Sequence, residues 1–337
     1  VTQTQHVDDE HAVLITDARG TVTRVALDGL DREIERTVDP GGLDLLTTTE
    51  YDGAGSRTRV VDPRGNPTRW HYDTLGRLLT ETDAQDQQRT YSYDGEGLKT
   101  LETDRRGVTR TFSYDSVGRL TREVVQPSIT GVPWSREIDS RDEVLQRVER
   151  DARGHETRFG LDRLGRVVVE TDEFAKTVET VWDGVNRTQV TDKRGFPTDY
   201  EYDELNRVRV VRNALGDSVV TVYKDDENAT EETDRKQIVT RTEMDPLGRV
   251  RRVFRPWDPD TRTGLLLETH IWDGNGNRIS QTDAEGKRTE FTYDGANRVV
   301  LRTDGVETPA EASIEYRYDP NGNRVMEIDE RHTEDVP

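Results

Sequence analysis

Aromatic and apolar residues in this chain stand two apart in short runs. Segments such as Thr68 to Tyr72, Arg110 to Tyr114 and Glu290 to Tyr293 are rich in Thr, Arg and aromatics, the composition of short strands. Within such runs Trp70 and Tyr72, Tyr91 and Tyr93, Phe112 and Tyr114, Tyr200 and Tyr202, Phe291 and Tyr293, and Tyr316 and Tyr318 are paired at that spacing, which puts each pair on one strand face. The pattern predicts an all-β chain with no convincing amphipathic helix. Its aromatics are expected to form a ladder in which stacked neighbours bury one another; sugar binding is the other use such a ladder allows.

The runs belong to a repeat. An aromatic or apolar residue followed by Asp recurs mostly 20 or 21 residues apart, at Tyr51-Asp52, Tyr72-Asp73, Tyr93-Asp94, Tyr114-Asp115, Ile138-Asp139, Leu161-Asp162, Trp182-Asp183, Tyr202-Asp203, Met244-Asp245, Trp272-Asp273, Tyr293-Asp294 and Tyr318-Asp319. Weaker copies sit at Leu27-Asp28 and Tyr223-Lys224. Three residues after the Asp comes Gly (Gly55, Gly76, Gly97, Gly118, Gly165, Gly248, Gly276, Gly322) or Asn (Asn186, Asn206, Asn297). Asn is the non-glycine residue that best tolerates positive φ, so this slot is filled for a left-handed backbone and not for chemistry. The Asp is suited to accept backbone N–H groups in an Asx turn. The Arg that often follows, as at Arg77, Arg119 and Arg298, suits a cross-strand ion pair at the start of the return strand.

A second turn signal falls midway through each unit, as in Asp17-Ala-Arg-Gly20, Asp62-Pro-Arg-Gly65, Asp104-Arg-Arg-Gly107, Asp151-Ala-Arg-Gly154 and Asp192-Lys-Arg-Gly195. Two turns per unit leave about seven or eight residues per strand, so each repeat is one hairpin. A lone hairpin is marginal in water, and stacking of successive units must supply the stability. The organisation read from this is a lead-in at 1–11, an array of about 13 hairpins over 12–330, and a tail at 331–337. Longer spacings, rich in Pro and Gly, mark insertions at 126–136, 255–270 and 305–313, which are expected to form loops.

Composition sharpens this picture. Hydrophobic residues are only 31% of the 337 and charged ones 34%, too few for one thick core, so a thin extended architecture fits. The net charge of −20 would repel a phosphate backbone, which argues against a nucleic-acid partner. It suits solubility or, functionally, an acidic wall around basic cargo. The absence of Cys excludes disulfides, thiolate metal sites and a Cys nucleophile. No apolar stretch approaches the length needed to span a bilayer.

The sequence Tyr-Asp-x-x-Gly-Arg-Leu, present as Tyr72 to Leu78 and Tyr114 to Leu120, resembles the YD repeat of the Rhs family. The resemblance covers roughly residues 12 to 330. That family includes bacterial polymorphic toxins, the B and C components of insecticidal Tc toxins, and animal teneurins. The resemblance implies tandem hairpins in a curved, spiralling sheet strip, part of a hollow shell that in bacterial members encloses a C-terminal toxin. Those members carry a core segment with a DPxG motif and an aspartyl autoproteolysis site. Asp62-Pro-Arg-Gly65 and Asp245-Pro-Leu-Gly248 are superficially similar, but both fall in repeat-turn register and are read as turns.

Candidate chemistry is sparse. His6, His11, His71, His155, His270 and His332 form no pair at metal-ligand spacing, and there is no GxSxG elbow or phosphate loop. Asp319 to Glu330 imitates part of a calcium loop, yet Arg324 occupies the place of its essential Gly. Asn186 and Asn228 open N-x-Thr sequons, relevant only in a glycosylating host. No catalytic, cofactor-binding or metal residue is assigned, and the chain is read as structural rather than enzymatic. The expected function is a wall segment of an exported shell, secreted or at the cell surface. Its partners would be the remaining shell, a toxin cargo and a delivery machinery. The alternative is a surface adhesion or glycan-binding module.

Overall fold

The computed structural model describes residues 2–126, 134–141, 145–151 and 153–330. Among the described residues thirty strands, from β1 (Gln3–Val7) to β30 (Arg324–Asp329), form a single sheet. Each strand pairs antiparallel with its neighbours in sequence, so the chain is all-β and folds as a row of hairpins. The sheet begins inside the segment read as a lead-in, because β1 pairs with β2 (Ala12–Thr16), with Gln3 opposite Thr16. The tail at 331–337 and residues 127–133 of the first insertion lie outside the described residues.

The turns explain the hairpins. At Asp73 the backbone N–H groups of Leu75 and Arg77 both donate to Asp73 Oδ1, at 2.9 Å each, and Gly76 N–H donates to the Asp73 carbonyl. Gly76 has φ +77°, and the return strand carries a one-residue bulge between the pairs His71–Thr80 and Tyr72–Leu78. This is a type I turn closed by a left-handed residue, a favoured three-residue hairpin connection. The mid-unit turn at Asp62 has the same Asp contacts, to Arg64 and Asn66. Asn206 and Asn297 replace Gly at φ 60° and 61°. Asn186 departs from the expectation: the left-handed residue of that turn is Gly184, and Asn186 already begins a strand, Asn186–Thr191. Ile138 and Asp139 lie within the strand Trp134–Arg141 and not at a turn.

Most strands are shorter than the seven or eight residues expected, commonly five or six, as in β7 (Pro67–Tyr72) and β8 (Leu78–Thr82), because each turn consumes more of the unit. The insertion read as a loop at 255–270 is instead an extended hairpin, formed by β24 (Val250–Asp258) and β25 (Thr263–Trp272).

There is one layer and no thick core. Among the described residues the buried apolar ones are few and scattered, with Val25, Val125, Val148, Val210 and Ile314 among them. The accessible surface is 21684 Å², against about 14,000 Å² for a compact monomer of this mass. The strip also winds back on itself. The turn after β2 meets the turn before β26 (Arg278–Thr282), and the turn after β6 (Arg57–Val61) meets the turn before β30. In both cases the two turns are 23 strands apart, which defines one turn of a spiral.

Candidate functional site

The YD residues work between repeats as well as within them. Arg77 Nε donates to Asp73 Oδ2 at 2.7 Å in its own turn, while its Nη1 donates to the Asp94 carbonyl of the next YD turn at 3.1 Å. Its guanidinium lies 4.9 Å from the centre of the Tyr93 ring. Tyr93 in turn donates its hydroxyl to the Leu78 carbonyl at 3.0 Å, back in the preceding hairpin. The arrangement recurs at Arg32 with Tyr51, Arg249 with Trp272 and Arg298 with Tyr318. Tyr72, Tyr114, Tyr202 and Tyr293 donate in the same way to Arg57, Lys99, Arg187 and Arg278. The Arg therefore makes the ion pair expected of it, with the Asp across its own turn, and in addition staples that turn to the next unit.

The first aromatic of each pair, two residues before the YD position, is also capped by a cation. Arg57 lies 4.6 Å from the Trp70 ring, Lys99 4.7 Å from Phe112, Arg187 5.2 Å from Tyr200, Arg278 5.3 Å from Phe291 and Arg324 5.3 Å from Tyr316; Tyr91 has Arg89 at 5.6 Å. The expected ladder of rings stacked on rings is corrected: among the described residues the direct ring pairs are Phe254–Trp257 and His270–Trp272. Elsewhere cations alternate with rings, each contact contributing about 0.5–1 kcal/mol at such half-exposed sites. Faces already covered by guanidinium groups are poorly placed to stack on a sugar.

The turn edges carry the second feature, a seam between the first and last repeats. Asn275, at the tip of the Asp273 turn, donates its amide to Asp17 Oδ2 at 2.6 Å and accepts from the Ala18 N–H at 2.9 Å. Arg19 reaches the Tyr293 and Asp294 carbonyls and Asn297 Oδ1. Further along, Asn321 donates to Asp62 Oδ2 at 2.6 Å and Arg64 pairs with Asp319 at 3.3 Å. The approach is close: a Cβ added at Gly274 would stand 2.6 Å from that of Ala18, and one at Gly295 2.5 Å from the Asp39 carboxylate. Burial works to raise the Asp17 carboxyl, but the Asn275 amide, the turn N–H groups and Arg19 outweigh it and hold it below its ordinary value. Asp62 is lowered against burial in the same way, by Asn66 and Asn321. Sequence reading took these Asp and Asn residues as local turn formers; nothing in one repeat signals that a turn 257 residues away will meet it.

A third feature is the base of the extended hairpin. Arg241 is buried and contacts Glu227 at 2.6 Å, Glu231 at 2.8 Å and Glu243 at 3.1 Å. The Trp257 indole N–H donates to Glu231 at 3.0 Å, and Arg262 at the hairpin tip reaches Glu227 at 2.9 Å. The hairpin is thus folded back over the strands that precede it. Among the described residues no group of three or more His, Asp or Glu side chains is placed to hold a metal ion, and no helix is long and apolar enough to cross a membrane.

The profile of the family described as RHS Repeat matches residues 51–88, 72–109 and 272–308. No curated protein matches the sequence. Among solved structures, TcdB2-TccC3-TEV superposes with a TM-score of 0.78 at 15% identity, over 98% of this chain and 21% of that one. TcdB2-TccC3 without its hypervariable C-terminal region gives 0.73 at 15%, over 95% and 20%. The Photorhabdus luminescens Tc holotoxin pore with the mutation TccC3-D651A gives 0.70 at 15%, over 93% and 19%. The chain spans about a fifth of the length of these structures, and at this identity they establish its fold. Residues 51–109 and 272–308 are thus similar to RHS repeats, and the same hairpin unit and turn register run through the described residues between and around them.

Proposed function

We infer that this chain is a wall segment of an RHS-type shell that encloses a polypeptide cargo and helps deliver it. The observation that carries the reading is the seam: a one-layer strip that meets its own edge after 23 strands is a wall curved around a space. The likeness to TcdB2-TccC3 over nearly the whole chain supports it. A shell wall needs no catalytic group, and the chain acts by enclosing. The net charge of −20 favours a basic, partly unfolded cargo held by attraction that salt screens. An exported setting, outside the producing cell, suits such a carrier.

The test is protection. In the complete native polypeptide that contains these repeats, digested with trypsin under native conditions, a cargo segment should survive until the wall is unfolded, and raised salt should speed its loss once the wall is opened. Digestion of every flanking segment at the rate of an unfolded chain would overturn the reading.

A further inference from the structure

Of the ten asparagines in the chain two precede a glycine, Asn275-Gly276 and Asn321-Gly322, and both of these lie in the seam. Each gives its side-chain amide to the aspartate of the facing mid-unit turn, Asn275 to Asp17 and Asn321 to Asp62, at 2.6 Å in both cases. Asn275 is held further: the Ala18 N–H donates to its Oδ1 at 2.9 Å, and its amide also reaches Asn297 Oδ1 at 3.0 Å. Asn321 is exposed, and among the described residues Asp62 is its side chain's partner. The next N–H is engaged as well, Gly276 donating to the Asp273 carbonyl at 3.3 Å and Gly322 to the Asp319 carbonyl at 3.0 Å.

We propose that Asn275 and Asn321 are spontaneous deamidation sites which the closed seam shields, and that hydrolysis at either one prevents its contact from re-forming. Glycine has no Cβ to hinder the approach of its nitrogen to the preceding side chain. That nitrogen loses its proton and attacks the asparagine Cγ; the Cγ–Nδ2 bond breaks, and the amide nitrogen leaves with the proton as ammonia. Water then opens the cyclic imide at either carbonyl, leaving aspartate or isoaspartate, so that one water is consumed, one ammonia is released and nothing is oxidised or reduced. In the closed seam the step is blocked twice, because the amide is committed to the facing aspartate and the glycine N–H to its turn carbonyl. Both must let go first, so the rate follows the fraction of time that the contact is open. Afterwards a carboxylate stands where an amide donated, and it repels Asp17 or Asp62. The seam's cations offer no ready replacement: Arg19 is committed to the Tyr293 and Asp294 carbonyls and Arg64 to Asp319. The seam thus opens reversibly until it is hydrolysed and irreversibly thereafter.

The test follows both sites by peptide mass mapping of the full chain, aged in mildly alkaline buffer under native conditions and in parallel in denaturing urea. Both should convert at least about tenfold more slowly in the folded chain, and Asn321, with fewer contacts, should convert before Asn275. Asp17→Asn keeps its turn, since Asn213 makes the same contacts to the N–H groups of Leu215 and Asp217, but it presents an amide where a carboxylate accepted. It should speed conversion at Asn275 and leave Asn321 at the parent rate, and Asp62→Asn should do the reverse. Small-angle scattering of the aged parent chain should show a radius of gyration that rises with the extent of conversion while circular dichroism stays constant. Equal rates in the folded and unfolded chains, an Asp17→Asn effect that is absent or the same at both sites, or a fully converted chain with the radius of a fresh one would each overturn the proposal.

Discussion

At the scale of single residues, stability comes from many modest polar contacts that each span two hairpins. Tyr93→Phe removes only the hydroxyl bond to the Leu78 carbonyl and should cost about 0.5–1.5 kcal/mol in urea unfolding. Arg77→Ala removes the ion pair, the carbonyl contact and the ring cover together and should cost more than Tyr93→Phe; equal losses would count against the staple. The turn aspartates also set a pH dependence. The Arg32 side chain, with the Arg32 and Leu30 N–H groups, brings the Asp28 carboxyl down from 3.8 to about 2, and Asp73, Asp115, Asp162 and Asp245 are lowered by equivalent partners. A carboxyl whose folded pKa lies below its unfolded one contributes stability above the unfolded value and loses it as pH falls through the folded one. The melting temperature should therefore hold down to about pH 4 and fall between there and about pH 2; a flat profile across that window would contradict the assignment.

At the scale of the element, one turn geometry is used on both edges and its demands are steric. Gly76 has φ +77° with open space where a Cβ would stand, so the constraint is the backbone and not a neighbour. Gly76→Asn should be nearly neutral and Gly76→Val should cost about 1–2 kcal/mol, compared by thermal unfolding; equal costs would point to crowding instead. The extended hairpin depends on a buried charge. Arg241 is 5% exposed at the side chain, and Arg241→Met would leave the buried Glu231 with Lys224, at 4.0 Å, as its remaining cation, a loss of about 3–5 kcal/mol visible as faster hydrogen exchange in residues 250–272. Hairpin identity was legible from the Asp and Gly spacing because each turn is decided within five residues. The extension of β24 and β25 was not, because Pro256 and Gly264 read as loop formers until Trp257 and Arg262 find Glu231 and Glu227 on the sheet beneath.

At the scale of the whole molecule, the spiral is pinned where its edges meet. Asn275→Asp would replace the amide that donates to Asp17 with a second carboxylate, and combining it with Asn321→Asp would do the same at Asp62. The double variant should show a larger radius of gyration by small-angle scattering at low salt, with the hairpins intact by circular dichroism. An unchanged radius would mean that the curvature of the strip, and not the seam, holds the coil.

The sequence by itself determined the unit. Asp, Gly and the paired aromatics specify each turn and strand through contacts a few residues long, and their period specifies that hairpins follow one another in one sheet. The tertiary structure decided how the units are joined and where the strip closes. Tyr93 and Arg77 look like strand and turn residues until the neighbouring hairpin supplies Leu78 and Asp94 as their partners. Asn275 and Asp17 become one contact only because small rotations between hairpins accumulate over 23 strands. That accumulated rotation, a sum of twists that no single repeat encodes visibly, is what sequence spacing leaves undetermined.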